Sequence, residues 1–436
     1  MIYQYNINET HKDTTSSKML LVCHILSGII VTFVSTFLVA YMYTPEIFVY
    51  IKRIALYYLT TYIVMTLASP LFSMLVEKTN RVWIFRLGIF LRTALVVLLI
   101  FRGEEIAKII PLAGLLYGFS SACYYSAYNI IRQEMVSRHK NSTFETVLTS
   151  VQKTVNILIP ITLGALIEIS TYIQTAIYVF VIGVITLFFS FFIKAHRPVG
   201  SGFSVRKFFS ALKTTPAFSK KIKYMYYSAL VAGSATILAQ LIYICIMINF
   251  QSSFSLGWIT SLASALSIVE ILLIAKFTKD SKRSWVYIIL ALTPLLTSFL
   301  YVFTQTKITL IIFYIATALC NAFYGYKFEV FRNGTLKDAG YYDFIAEHQT
   351  IIDVCMCFVR ATTYCILFLS ALLEIEQLFY ILLIIFTISY TAITFMLMAF
   401  ENKYTKPQCE TNQNQNEHGD LDNAQASTHN IAKIER

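Results

Sequence analysis

Long apolar runs separated by short polar breaks dominate the chain. A transmembrane helix needs ~20 mostly apolar residues, and length alone predicts about twelve such spans. They fall at 19–41, 49–75, 84–101, 107–131, 148–170, 173–194, 223–249, 253–276, 284–304, 308–331, 348–371 and 376–400. Residues 1–18 and 401–436 are polar tails. The second tail holds Asn, Gln, Glu, Asp and His with almost no large apolar residue, which predicts disorder. The first run follows a polar stretch and precedes no small-residue cleavage site, which argues against a signal peptide.

Basic residues alternate along the breaks. Breaks after odd-numbered spans carry Arg102 and Lys307, with Lys52, Arg53 and Lys108 at the following helix starts. Breaks after even-numbered spans carry Lys78, Arg81, Arg138, Lys140, Lys276, Lys279, Lys282, Arg283 and Lys337. The break at 195–222 is the longest and most basic, with Arg197, Arg206, Lys207, Lys213, Lys220 and Lys221. By the positive-inside rule both termini are cytoplasmic. The outer breaks are too short for an external catalytic or receptor domain.

Composition agrees. Of 436 residues, 57% are hydrophobic and 14% charged; soluble domains run at roughly 45–50% and about 25%. One soluble core cannot absorb that excess, so the expected class is an all-α membrane protein. The formal net charge of +11 would raise nucleic acid as a partner in a soluble protein. Here it is accounted for by the basic cytoplasmic breaks, beside anionic lipid. No nucleic-acid partner, cofactor or metal is expected. Cys355 and Cys357 face different sides of a helix and make a poor metal pair. No Walker loop is present, so ATP does not drive the chain directly. His24, His139 and His348 are scattered and read as incidental.

The break at 195–222 divides the spans six and six, and the halves repeat weakly. With an offset of 200, Ala122, Tyr124, Asn129, Arg132 and Gln133 fall on Ala322, Tyr324, Glu329, Arg332 and Asn333. Lys153 and Pro160 fall on Asp353 and Arg360. Parallel six-span repeats are a transporter plan, with the solute site near the midplane between halves. The implied organisation is a tail at 1–18, a bundle at 19–194, a basic linker at 195–222, a second bundle at 223–400 and a tail at 401–436.

The break after span 2 reads Ser73-Met74-Leu75-Val76-Glu77-Lys78-Thr79-Asn80-Arg81. Its acid–base spacing resembles the loop motif of the major facilitator superfamily, with Glu for Asp and with Ser and Asn at the two Gly positions. A looser copy, Lys279-Asp280-Ser281-Lys282-Arg283, follows span 8. The resemblance implies two pseudo-symmetric six-helix bundles working by alternating access, with spans 1, 4, 7 and 10 lining a central cavity. It also implies an inner gate of Glu77, Lys78 and Arg81, with Asp280 and Arg283 in the second copy, braced on the start of span 11. The plainer reading of the motif is a turn with positive-inside charge.

Ionisable side chains within spans cost at least ~2.5–3.5 kcal/mol at the bilayer centre and are the best functional candidates. Arg360 lies near the middle of span 11, with Asp353 and Gln349 on the same face. They form either a solute or coupling site, or an ion pair holding the halves together. Glu270 in span 8 and Glu329 in span 10 join Asp353 as candidate proton carriers. Tyr124, Tyr128 and Asn129 in span 4 and Tyr324 in span 10 are candidate cavity-lining groups for a partly apolar organic solute. Arg92 in span 3 reads as a snorkelling or packing residue. The expected function is a secondary active transporter of a small organic solute, driven by protons or another ion, with export favoured by the aromatic stripes. The alternatives are a membrane enzyme or flippase acting on lipid-linked substrates, or a non-transporting relative of the superfamily. Nothing in the sequence requires an oligomer.

Overall fold

The computed structural model describes residues 14–135, 141–194, 202–214, 216–235, 237–277, 283–338 and 344–404. Every regular element among them is helical. In a bilayer no water satisfies backbone groups, so a span must close its own hydrogen bonds. The first span runs through α1 (Thr14–Thr32), a π-helical turn (Phe33–Phe37) and α2 (Leu38–Tyr41). Then follow α3 (Ile47–Lys78), α4 (Arg81–Arg102), α5 (Ile106–Met135), α6 (Asn141–Ile169), α7 (Tyr172–Ser190) and α8 (Val205–Lys213). The remainder comprises α9 (Pro216–Ala235), α10 (Ile237–Phe250), α11 (Ser253–Phe277), α12 (Arg283–Thr304), α13 (Lys307–Asp338), α14 (Ile345–Leu372) and α15 (Glu376–Tyr404).

Nine stretches among the described residues are long and apolar enough to cross a membrane. The other three expected spans fall on α6, α11 and α13. Of these, α6 and α13 contain the shorter apolar stretches Thr154–Ile169 and Lys307–Asn321. Large apolar side chains such as Leu67, Ile169 and Phe303 stand exposed on the outside of the bundle, as a lipid-facing surface requires.

Local chemistry sets the helix ends. Asn80 caps α4 by accepting from the Val82 N–H at 3.0 Å, and Thr171 caps α7 by accepting from the Gln174 N–H at 3.1 Å. Gln251, Gln305 and Glu374 follow α10, α12 and α14 with φ of 53°, 47° and 55°, the left-handed turn that stops a helix abruptly. The π turn in the first span shifts its carbonyls out of ordinary register. Tyr57 and Tyr58 on α3 donate their hydroxyls to the Val34 and Ser35 carbonyls at 3.0 and 2.6 Å.

The helices pack as two groups. In the first, α5 packs on α3 and α4, and α7 on α4 and α1. In the second, α12 packs on α13 and α15, α9 on α14 and α15, and α11 on α13. Two seams join the groups, α3 against α14 and α6 against α11. The second seam is unusually close. A Cβ on Gly164 would stand 2.8 Å from the Ser253 carbonyl oxygen, and one on Gly257 would stand 3.0 Å from the Pro160 carbonyl carbon. Only glycine permits that approach. Ser261 adds a hydrogen bond across it, donating to the Ile157 carbonyl at 2.5 Å.

The linker differs from expectation. The sequence implies a plain connection up to 222, but the segment contains α8, and α9 already begins at Pro216. The cause is an amphipathic pattern too short to read as a span. Phe208 and Leu212 on α8 are buried with Ile222, against Phe344, Ile345 and Ile351.

Candidate functional site

The α3–α14 seam carries a polar core near the middle of both helices. Tyr364 on α14 stacks on Tyr58 and Tyr62 of α3, with ring centres 5.0 and 5.8 Å apart. Its hydroxyl donates to Gln240 Oε1 on α10, and Gln240 Nε2 reaches the Tyr62 hydroxyl at 3.5 Å. The Arg360 guanidinium lies over the Tyr62 ring, 5.3 Å from its centre. A cation held on an aromatic face this way is stabilised by the ring. Two turns earlier on α14, Asp353 accepts from Gln349 Nε2 at 3.0 Å. Thus α3, α10 and α14 bring groups from both halves to one place.

A second polar core lies within the first half. Gly88 on α4 meets α5 so closely that a Cβ would stand 2.7 Å from the Tyr124 backbone nitrogen. One turn later on the same face, Arg92 is therefore directed between α5 and α1. It is 1% exposed and is among the largest fully buried side chains. Its Nη1 donates to Ser27 Oγ on α1. Its guanidinium sits 3.9 Å from the Tyr124 ring centre and 5.2 Å from that of Tyr125. His24 on α1 bonds the Tyr124 hydroxyl at 2.9 Å through Nδ1 and stacks on Tyr128 at 4.1 Å. Arg132 lies 5.6 Å over Tyr128. Of the two readings of Arg92, snorkelling to the surface is corrected, while packing agrees with its burial against Tyr124 and Tyr125. The close α4–α5 approach at Gly88 turns its face inward.

The two cores adjoin. Tyr117 on α5 lies within electrostatic reach of Arg92, Tyr125 and Tyr62, and Tyr62 within reach of Tyr125 and Arg360. Tyrosines of α3 and α5 thus lie within reach of an arginine of each half. Tyr124, Tyr128 and Asn129 are buried, whereas Tyr125 and His24 are partly exposed.

The other sequence candidates are distributed as follows. Glu77 and Arg81 form an ion pair of 3.2 Å with side chains 12% and 4% exposed, while Lys78 is exposed. Glu77 lies within electrostatic reach of Glu347 in the first turn of α14. Ala346 beside it packs with Val76 and Val82. Glu347 also accepts from the Ser204 backbone N–H of the linker at 2.6 Å. The Glu270 carboxyl oxygens are buried on α11, near Cys320. Asp280 lies outside the described residues. Arg283 opens α12, and Tyr324 and Glu329 lie on α13; their side chains are outside the description. No group of three or more potential metal ligands occurs among the described residues.

Reasoning on ionisable groups alone missed His24, Tyr58, Tyr62, Tyr117, Gln240 and Tyr364. Gln240 carried a signal, an amide inside the apolar run that continues through α10. The tyrosines carried none, because aromatic residues are 15% of the chain and most serve packing.

No family model matches the chain, and no curated protein matches it in sequence. Solved structures do match it. A bacterial homologue of the iron transporter ferroportin, inward-facing, superposes with a TM-score of 0.62 at 12% identity, over 89% of this chain and 99% of its own. The human organic anion transporter MFSD10 (TETRAN) gives 0.58 at 13% identity, over 88% and 99%. A point mutant of the nucleoside transporter NupG gives 0.57 at 12%, over 88% and 99%. At such identities the likeness establishes the fold. The chain has the all-helical fold of these solved transporter structures.

Proposed function

We propose that the chain is a secondary active transporter that moves a small organic solute by alternating access. The observation that carries this reading is the shared polar centre. Two helix groups joined by two seams bring tyrosines of α3 and α5 within reach of Arg92 of one half and Arg360 of the other. Charge within apolar helices, buried at Arg92 and partly exposed at Arg360, is costly in a membrane and accumulates on solute and ion pathways. A centre built from both halves changes shape when the halves rock, which is what differential binding in two states needs. The structural neighbours carry organic anions, iron and nucleosides by name, so the fold leaves the cargo open. The mixture of tyrosine rings, an amide and cations suits an organic solute with both apolar and polar parts.

Protons are the proposed coupling ion, with Asp353, Glu270 and Glu329 as the carriers. Export is the proposed direction. Glu77 and Arg81, beside the first turn of α14, form the proposed cytoplasmic gate. Both termini are proposed to be cytoplasmic.

The test is flux in proteoliposomes under an imposed pH gradient, with a panel of labelled organic solutes. Wild type runs beside Asp353→Asn and Arg360→Ala. Gradient-driven flux that is lost in either folded variant supports coupled transport through this centre. Undiminished flux in both variants would return the pair to a structural role and defeat the proposed coupling site.

A further inference from the structure

The environment of Arg92 defines a ligand chemistry. Its guanidinium has five N–H donors in a rigid plane. Nη1 is taken by Ser27 Oγ. Nε and Nη2 are buried and have no hydrogen-bond partner among the described residues. These two nitrogens form one edge of the guanidinium, and their N–H bonds run parallel, the fork that grips the two oxygens of a carboxylate. Arg92 takes no part in the ion pairs Arg81–Glu77, Arg102–Glu105 and Lys108–Glu105. The rings of Tyr124 and Tyr125 lie against the guanidinium face, which stabilises the cation while leaving its edge unbonded. A permanently charged side chain, buried with an unbonded bidentate edge beside the shared centre, is matched by an oxyanion.

We propose that Arg92 is the anion-binding residue of the solute site. Its Nε–Nη2 edge takes a carboxylate of the solute, and the rings of Tyr125 and His24 cover the solute's apolar body. This rests on the transport reading and adds a substrate class to it. Tyr125 and His24 are the partly exposed rings of this cluster, and they are the rings proposed to meet the solute. Movement of the Tyr125 ring then admits the carboxylate to the edge beneath. Ser27 fixes the guanidinium plane by holding Nη1.

The experiment uses the full chain in detergent and benzoate as the probe, with benzamide as its neutral isostere. Binding is read by calorimetry and by the shift in melting temperature. The expected result is that benzoate binds and benzamide does not, and that Arg92→Lys weakens benzoate roughly 10- to 100-fold by removing the fork while keeping the charge. Arg92→Gln, which lacks the charge, abolishes the response. Size-exclusion and unliganded melting profiles certify each variant as folded. If Arg92→Lys does not fold, Ser27→Ala is used, which frees the plane without removing the cation, and a several-fold weaker benzoate affinity is expected. Equal affinity for benzoate and benzamide, no benzoate binding to wild type, or unchanged affinity in the folded variants would each overturn the proposal. Benzoate binding that depends on Arg92 without flux in proteoliposomes would keep the site and remove the transport reading. Flux of a neutral solute that is unaffected by Arg92→Gln would do the reverse.

Discussion

Gly257→Ala is the sharpest probe of the seam between the halves. The added methyl carbon would stand 3.0 Å from the Pro160 carbonyl carbon, and Gly164 Cα would be 3.4 Å away. Relaxed carbon–carbon contacts lie at about 3.5–4.0 Å, so α6 and α11 must separate by about half an ångström or more. Both contacts on the α6 side are with backbone, so rotation of a side chain cannot relieve them. Overpacking of this kind costs roughly 1–3 kcal/mol. The cost falls on the state in which the seam is closed, so the equilibrium shifts toward a state with the seam parted by roughly 5–150-fold. Spin labels at Ile169 and Phe303, both more than four-fifths exposed, report that shift by pulsed dipolar spectroscopy. The variant is expected to gain a longer-distance population and to melt at a lower temperature than wild type. An unchanged distance distribution together with an unchanged melting temperature would show that α6 and α11 have room for the methyl, and the reasoning would fail.

Two further substitutions address other parts of the structure. Tyr364→Phe removes the donor to Gln240 Oε1 and leaves that part-buried amide oxygen without it. A loss of about 1–3 kcal/mol is expected in thermal unfolding, and a loss below about 0.5 kcal/mol would refute the network. A double-mutant cycle with Glu77→Gln and Arg81→Gln is expected to give a coupling of at least ~1 kcal/mol, because both side chains are largely buried. Glu105→Gln is the control. It removes two ion pairs whose cations are 62% and 75% exposed, and exposed pairs contribute little, so a coupling for Glu77–Arg81 no larger than the Glu105 effect would count against a stabilising buried pair.

Much of the architecture was legible in the chain itself. Apolar run length is a one-dimensional property, and the bilayer leaves helices as the means of satisfying a run of backbone. The helical membrane class and most span positions therefore followed from counting. The motif at Glu77–Arg81 was legible for a related reason, because acid and base four residues apart meet on one helical surface. The amphipathic turn of α8 escaped because it buries only a few side chains, against residues distant in the chain.

The polar centre depended on the tertiary structure. The sequence marked Arg92 and Arg360 as charges within apolar runs, but charge and depth do not say which way a side chain faces. For Arg92 the direction comes from Gly88 pressing α4 onto the α5 backbone at Tyr124. For Arg360 it comes from α14 lying along α3, which brings Tyr62 beneath the guanidinium. Gln240, Tyr58 and Tyr364 join the same centre from three helices. Their separation in sequence hides the contact, since which helix faces meet is set by long-range packing and not by any local pattern.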